Sequence, residues 1–188
     1  MINYKKYLPY LIAVLSFAAA AYLFTPQVLQ KKVVNQSDIA SWRGMANEII
    51  TYNEANPDKD PALWTNSMFS GMPATSISVV YEGDYTDYVY KLIHKLAGSR
   101  PPSYLLISMI GAFLLFLAFG ISVPLSAIGA MALTFCSYSL QIIQVGHNSK
   151  MVAIAFMPWV LAAVVYAYKR ATLKGVLTGA LLFAFALS

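Results

Sequence analysis

Acidic residues are confined to one part of this chain, and long uncharged apolar runs make up most of the rest. All eight Asp and Glu residues lie between positions 38 and 87. A membrane-spanning helix needs about 20 predominantly apolar residues. Five candidate runs occupy residues 8–24, 104–120, 124–143, 151–168 and 175–188. The pattern predicts an all-α, polytopic transmembrane helical protein.

Composition indicates the same class. The chain is 59% hydrophobic and 11% charged, whereas roughly 25% of the residues of a soluble domain are charged. The single cysteine, Cys136, lies inside an apolar run and offers no disulfide framework. The last apolar run stops after 14 residues. We therefore expect the chain to be a single membrane-domain fragment, the amino-terminal piece of a longer protein that ends inside a membrane helix.

The net charge of +5 predicts a membrane topology rather than a nucleic-acid partner. Basic residues precede the first run and separate the fourth from the fifth: Lys5, Lys6, Lys169, Arg170 and Lys174. Cytoplasmic loops carry such an excess of Lys and Arg. We expect an integral protein of the bacterial cytoplasmic membrane, with the amino terminus in the cytoplasm and residues 27–102 outside it. A cleaved signal peptide is the alternative for the first run, and it leaves the same segment outside.

Residues 27–102 form a polar segment that is too long for a simple connector. Apolar residues recur at helical spacing from position 39 to position 50, which predicts an amphipathic helix over residues 38–54. Residues 63–73 mix aromatic, amide and hydroxyl side chains with Gly and Pro and predict a shaped loop. A short strand is expected at 76–81, and a second amphipathic helix from about 85 to Gly98 is typical of the membrane interface.

Asp38 is the central candidate for chemistry, because it opens the first amphipathic helix just outside the predicted membrane. A carboxylate there can activate an acceptor hydroxyl as a base, or it can hold a divalent cation. An aspartate at a helix start is also a good N-cap, and this structural interpretation competes with the chemical one.

Residues 144–150 are predicted to lie on the same outer side. His147, Asn148 and Lys150 are suited to holding a phosphate, or they simply keep the loop solvated. Arg43 is either a phosphate ligand or a solvated helix residue, and Trp64 is either a sugar-stacking platform or an interfacial anchor. Together with Asn66, these residues form the predicted set for substrate and lipid-phosphate binding. A base and a phosphate-binding loop suit glycosyl transfer from a lipid-phosphate sugar.

Three segments of the chain resemble the amino-terminal part of the bacterial YfhO family of multispanning membrane proteins. They are Gln36-Ser37-Asp38 with Trp42 and Gly44, then Leu63-Trp64-Thr65-Asn66-Ser67-Met68-Phe69 with Gly71-Met72-Pro73, and Gly146-His147-Asn148-Ser149-Lys150 before Pro158-Trp159. That family is similar to GT-C glycosyltransferases, in which the outer loop after the first span carries an acidic residue. The resemblance implies that Asp38 is the catalytic residue.

The resemblance also implies a polyprenyl-phosphate sugar donor and a divalent cation, Mg or Mn, with Asp38 as its ligand. Many GT-C enzymes have further acidic residues between spans three and four, where this chain has His147, Asn148 and Lys150. That departure favours phosphate binding by the loop over a metal site shared by two acidic loops. The predicted function is transfer of a sugar to a cell-envelope acceptor. A transporter or flippase of lipid-linked envelope precursors and a non-catalytic membrane scaffold are the alternatives.

Overall fold

A computed structural model describes residues 4–32, 34–77, 86–170 and 172–187. Its helices are α1 (Tyr4–Phe24), α2 (Ser37–Ala55), α3 (Thr86–Ala97), α4 (Pro102–Phe119), α5 (Val123–Thr134), α6 (Ser137–Val145), α7 (Asn148–Lys169) and α8 (Leu173–Leu187). Short 3₁₀ helices cover Pro26–Gln30 and Ala74–Ser76. Strands β1 (Trp64–Thr65) and β2 (Met72–Pro73) form an antiparallel pair with Trp64 opposite Pro73. The predicted helical class is confirmed.

Contacts within the chain divide it into two compact units. The bundle unit comprises Met1–Val34 and Thr86–Ser188, and the polar unit comprises Asn35–Tyr85. The bundle unit has a core of residues from α1, α4, α5, α6 and α7, and the polar unit has a small core of its own. The strand expected at 76–81 is not seen at Ser76 and Ile77, and its other positions lie outside the described residues.

Three helices in the described part of the chain are long and apolar enough to cross a membrane. They are Lys5–Phe24, Pro102–Phe119 and Asn148–Lys169, and the pair α5 and α6 makes a fourth if it is counted as one bent span. These match the first four predicted spans. The fifth, at 175–188, corresponds to α8, whose 15 residues are fewer than a span needs.

The outer faces of these helices are apolar and uncovered. On α1, Leu8, Leu11, Ile12 and Leu15 are each about half exposed, and Leu125 and Ile128 on α5 are exposed as well. Monomeric soluble proteins rarely expose contiguous apolar patches of this kind. Apolar side chains around a buried core are what a lipid environment accommodates. Helix lengths and exposed faces together indicate a helical membrane protein.

Two contacts show that α4 and α7 run in the same direction. The indole N–H of Trp159 donates to the carbonyl of Ile107 at 2.9 Å, and ten residues later the ammonium of Lys169 lies 5.7 Å from the centre of the Phe119 ring. The chain between them must therefore cross back through α5 and α6.

Helix α1 runs opposite to α4. Tyr10, near its start, contacts the Phe113 ring at 6.4 Å between centroids, whereas the Tyr22 hydroxyl, near its end, lies against Gly98, which precedes α4. The start of α1 and the end of α4 therefore share one end of the bundle unit. Since α4 and α7 are parallel, the basic residues at positions 5, 6, 169 and 170 all lie at that end.

The third predicted span, at 124–143, is not a continuous helix. Helix α5 ends at Thr134 and α6 starts at Ser137, with a bend of 46° between them. Cys136 has extended backbone angles, φ −63° and ψ 149°. Near the break, the hydroxyls of Thr134 and Ser108 bond at 3.0 Å. Hydropathy does not register such a break, because hydroxyl groups and neighbouring helices can satisfy polar groups at membrane depth without adding charge.

A tryptophan packs directly onto a glycine where α4 meets α7. A Cβ atom at Gly111 would lie 2.3 Å from Cδ1 of Trp159, so only a hydrogen there lets the indole reach the Ile107 carbonyl. Small residues at helix interfaces in membranes allow this kind of close approach. Gly111 is therefore required by packing rather than by its backbone angles.

We expect Gly111→Ala to destabilise the bundle unit by about 1–3 kcal/mol, the usual cost of overpacking a core. The methyl group must displace the indole and break its hydrogen bond to Ile107. Thermal unfolding in detergent measures the effect, and its cause is tested by a double-mutant cycle, in which Gly111→Ala should cost less in a Trp159→Leu background than in the wild type. An unchanged melting temperature in Gly111→Ala would contradict the packing described here.

Candidate functional site

The polar unit is built on one face of α2. This face is a stripe of side chains at helical spacing: Trp42, Ala46, Ile49 and Asn53. The segment 61–77 packs against the stripe. The indole N–H of Trp42 donates to the Ile77 carbonyl at 2.6 Å, and the Asn53 side-chain oxygen accepts from the Ala62 N–H at 2.9 Å. The predicted amphipathic helix over 38–54 is confirmed, and its apolar face covers the loop.

A single carboxylate oxygen holds the centre of that loop. Oε2 of Glu48 accepts hydrogen bonds from the Thr65 hydroxyl at 2.5 Å, the Asn66 N–H at 3.1 Å and the Ser67 N–H at 3.0 Å. The Ser67 hydroxyl in turn donates to the Met45 carbonyl at 3.0 Å. Hydrogen bonds to an ionised acceptor are roughly twice as strong as neutral ones. We call this network the Glu48 clamp.

The clamped loop carries three successive residues with positive φ: Phe69 at 52°, Ser70 at 61° and Gly71 at 120°. Such a conformation is uncommon outside glycine and is a genuine outlier for a bulky residue. The indole of Trp64 lies against Gly71, and its N–H donates to the Asn66 side-chain oxygen at 3.2 Å. Strained backbone persists where the surroundings fix it, and it clusters at functional sites.

An open groove of about 410 Å³ lies beside the clamp. Its lining residues are Glu48, Ile49, Tyr52, Pro61, Ala62, Leu63 and Trp64. Trp64 is 57% exposed, so much of its surface is free to contact a ligand. Sequence reasoning named Trp64 but missed Glu48 and Tyr52. The available signal was their spacing of four residues, which puts them on one side of α2. We call this feature the Trp64 groove.

The clamp makes a pH-dependent contribution to loop stability. The hydrogen bond from the Thr65 hydroxyl lowers the pKa of Glu48 below its ordinary value of 4.5, and the Asn66 and Ser67 N–H groups lower it further. A lowered pKa in the folded state means that this stabilisation is present above the unfolded-state pKa. It is lost as the pH falls through the pKa of the folded state.

We expect amide hydrogen exchange in residues 61–77 to accelerate below about pH 4.5, relative to the intrinsic chemical rate. Glu48→Gln should show the faster exchange already at pH 7, because the charge-assisted bonds are lost. Glu54→Gln is the matched control, since Glu54 is exposed on the same helix and takes no part in the clamp. Equal exchange in wild type and Glu48→Gln at pH 7 would mean that the clamp does not hold the loop.

Asp38 and Arg43 lie on α2 outside the Trp64 groove. Asp38 is half-buried in the first turn, and Gln36, not Asp38, is the N-cap residue. The N-cap interpretation of Asp38 is therefore corrected. A carboxylate in the first turn interacts favourably with the positive end of the helix dipole. Arg43 is exposed. Among the predicted site residues of the polar unit, the structure brings Trp64 and Asn66 into contact.

His147, Asn148 and Lys150 lie together in the bundle unit, at the start of α7. His147 is the N-cap residue and Asn148 the first helical residue, and the ammonium of Lys150 lies 5.3 Å from the centre of the Tyr138 ring. No acidic residue is present in the first turn of α7. This is the end of the bundle unit at which α4 begins. The positive dipole end and the adjacent cation favour an anion there.

A divalent cation held by Asp38 is a further prediction from the sequence. Among the residues that the structure describes, no three or more His, Cys, Asp or Glu side chains are close enough to hold a metal ion together. A cation at Asp38 therefore stays a prediction, and we assign no step to it.

The fold and the groove thus define a helical membrane protein that carries a separate polar unit with a carboxylate-lined and tryptophan-lined groove. Comparison of the chain with models of protein families, with curated proteins and with solved structures finds no match. The function must therefore be argued from the residues themselves.

Proposed function

We propose that this chain is part of a membrane glycosyltransferase of the GT-C type, similar to the YfhO family. It transfers a sugar from a polyprenyl-phosphate donor to a cell-envelope acceptor on the outer side of the bacterial cytoplasmic membrane. In this proposal the polar unit is extracytoplasmic and the amino terminus is cytoplasmic. The basic residues at positions 5, 6, 169 and 170, which lie at one end of the bundle unit, support that orientation.

The observation that carries the proposal is the Trp64 groove. A sugar offers an apolar face and many hydroxyl groups. An exposed indole can cover the apolar face, a carboxylate can accept hydrogen bonds from the hydroxyls, and a phenol can both donate to them and accept from them. Trp64, Glu48 and Tyr52 supply these groups in a single open groove. A pocket lined by aromatic surface with a few convergent polar groups is the usual form of a small-ligand site.

In the proposed reaction Asp38 acts as the base that removes the proton from the acceptor hydroxyl. The acceptor oxygen then bonds to the anomeric carbon as the bond from that carbon to the phosphate oxygen breaks. The polyprenyl phosphate leaves with the electron pair. The loop at His147, Asn148 and Lys150 binds this phosphate, and the anion-favouring start of α7 supports that role.

Transport or flipping of lipid-linked envelope precursors is the second candidate. The broken span is the observation that favours it, because discontinuous helices with polar groups are typical of transporter binding sites. The break between α5 and α6 and the buried hydroxyl pair of Ser108 and Thr134 fit that description. However, α5 and α6 contain no charged residue, and ionisable groups usually mark transport pathways.

One experiment separates the two candidates. Proteoliposomes that contain the whole protein receive a labelled polyprenyl-phosphate sugar in the outer leaflet and an envelope acceptor extract. Covalent label on the acceptor supports glycosyl transfer. Movement of unreacted donor to the inner leaflet, without label on the acceptor, supports transport and contradicts the transferase proposal. If the protein is correctly folded and neither labelled acceptor nor moved donor is observed, the result favours a non-catalytic scaffold.

A further inference from the structure

A second groove lies in the bundle unit, away from every residue discussed above as part of a reaction. It has a volume of about 260 Å³ and is lined by Leu114, Leu117 and Ala118 of α4 and by Trp159, Ala162 and Tyr166 of α7. Both helices are candidate membrane spans. The lining is almost entirely carbon, because the Trp159 N–H is already bonded to the Ile107 carbonyl. We call it the α4–α7 groove.

Two cations lie at one end of this groove. The guanidinium of Arg170 is 5.8 Å from the centre of the Tyr166 ring, which lines the groove. The ammonium of Lys169 is 5.7 Å from the centre of the Phe119 ring, and Phe119 directly follows the groove residue Ala118. Both basic side chains are exposed. No Asp or Glu follows position 87 in the sequence, so α4 to α8 provide no carboxylate to neutralise them.

The groove has the depth of one membrane leaflet. Trp159 is near the middle of α7, and the ten residues from it to Lys169 span about 15 Å at 1.5 Å per residue. The hydrocarbon core of a bilayer is about 30 Å thick. An apolar channel that begins near the bilayer centre and ends at two cations matches the length of one acyl chain with an anionic headgroup above it.

We propose that the α4–α7 groove is a specific site for an anionic phospholipid. One acyl chain lies between α4 and α7 against Trp159, and Lys169 and Arg170 bind the headgroup phosphate. Basic pockets between spanning helices on the cytoplasmic side bind anionic headgroups in this way. The site lies at the opposite end of α7 from His147 and Lys150, and it is independent of the proposed transferase activity.

Fluorescence quenching by brominated lipids tests the site, because Trp159 lines the groove. The chain has three tryptophans, and a Trp42→Phe/Trp64→Phe background leaves Trp159 as the sole tryptophan, whose emission is followed at an excitation wavelength that tyrosine does not absorb. The delipidated protein is titrated with brominated phosphatidylglycerol or with brominated phosphatidylcholine. We expect phosphatidylglycerol to quench at the lower concentration. Lys169→Gln/Arg170→Gln should weaken that preference roughly fivefold for each cation removed.

Two further variants keep the test decisive. Lys5→Gln/Lys6→Gln removes two exposed cations from the same end of the bundle unit and should leave the preference unchanged. Ala118→Leu keeps both groove cations but fills the groove, and it should reduce quenching by both lipids. Equal quenching by the two lipids in the wild type would overturn the proposal. The proposal would also be overturned if Lys5→Gln/Lys6→Gln lost the preference for phosphatidylglycerol as fully as Lys169→Gln/Arg170→Gln does. Undiminished quenching in Ala118→Leu would overturn it as well.

Discussion

Asp38→Asn should abolish sugar transfer while leaving the protein folded and inserted. General acid–base catalysis typically contributes about 10²- to 10⁴-fold to a rate, and an amide cannot accept the acceptor proton. The structural cost should be small, because Asp38 lies in the first turn of α2 rather than at its N-cap. Loss of a favourable charge–dipole interaction costs about 0.3–1 kcal/mol. Labelled sugar incorporated into membranes from matched strains measures the rate.

Asp58→Asn provides the matched control, since Asp58 is an exposed carboxylate in the turn between α2 and β1. Membranes from the Asp58→Asn strain should incorporate as much labelled sugar as membranes from the wild type. Size exclusion in detergent establishes that all three proteins are folded at equal levels. Wild-type incorporation by Asp38→Asn would remove Asp38 from the chemistry. It would also leave Glu48, the carboxylate that lines the Trp64 groove, as the next candidate in the polar unit.

Much of the helical architecture follows from sequence patterns alone. Long uncharged runs predicted α1, α4 and α7 to within a few residues, because spanning helices must be apolar along their whole length. The stripe from Ile39 to Ile50 predicted α2 for a different reason, since its apolar residues recur every three or four positions. The break after Thr134 could not be predicted in this way. A hydropathy profile sums side-chain transfer energies and contains no information about backbone angles.

The candidate site was less accessible to prediction than the fold. Asp38 attracted attention by its position at a helix start, whereas Glu48 resembled any charged residue on the solvated face of α2. Its role depends on a contact with Thr65, 17 residues away in the sequence. Loop chemistry such as the Glu48 clamp is set by tertiary geometry, and neither periodicity nor composition encodes it. Nothing in the sequence around Gly71, apart from its being a glycine, indicates that the Trp64 indole packs against it.

Gly71→Ala should disrupt the loop of the polar unit, and far more than Gly44→Ala does in the same unit. The backbone there has φ +120°, which L residues rarely adopt, and strain of this kind costs about 1–3 kcal/mol. The added Cβ would also lie 2.8 Å from both Cζ2 and Nε1 of Trp64. The indole must then move, and its bond to Asn66 must break. The Trp64 groove would lose its aromatic wall.

Chymotryptic cleavage after Phe69 at pH 7 reports this change, because the protease needs an opened loop. A cost of about 1–3 kcal/mol raises the opened fraction roughly five- to 150-fold. Gly44→Ala is the control within the same unit. Nothing lies within 4 Å of a Cβ at Gly44, and Ala in a helix interior is favoured over Gly by roughly 0.5–1 kcal/mol. Cleavage in Gly44→Ala should therefore be no faster than in the wild type. If Gly71→Ala is also cleaved no faster, then neither the positive φ nor the contact with Trp64 constrains the loop, and the Trp64 groove is not the rigid site that the proposed sugar binding requires.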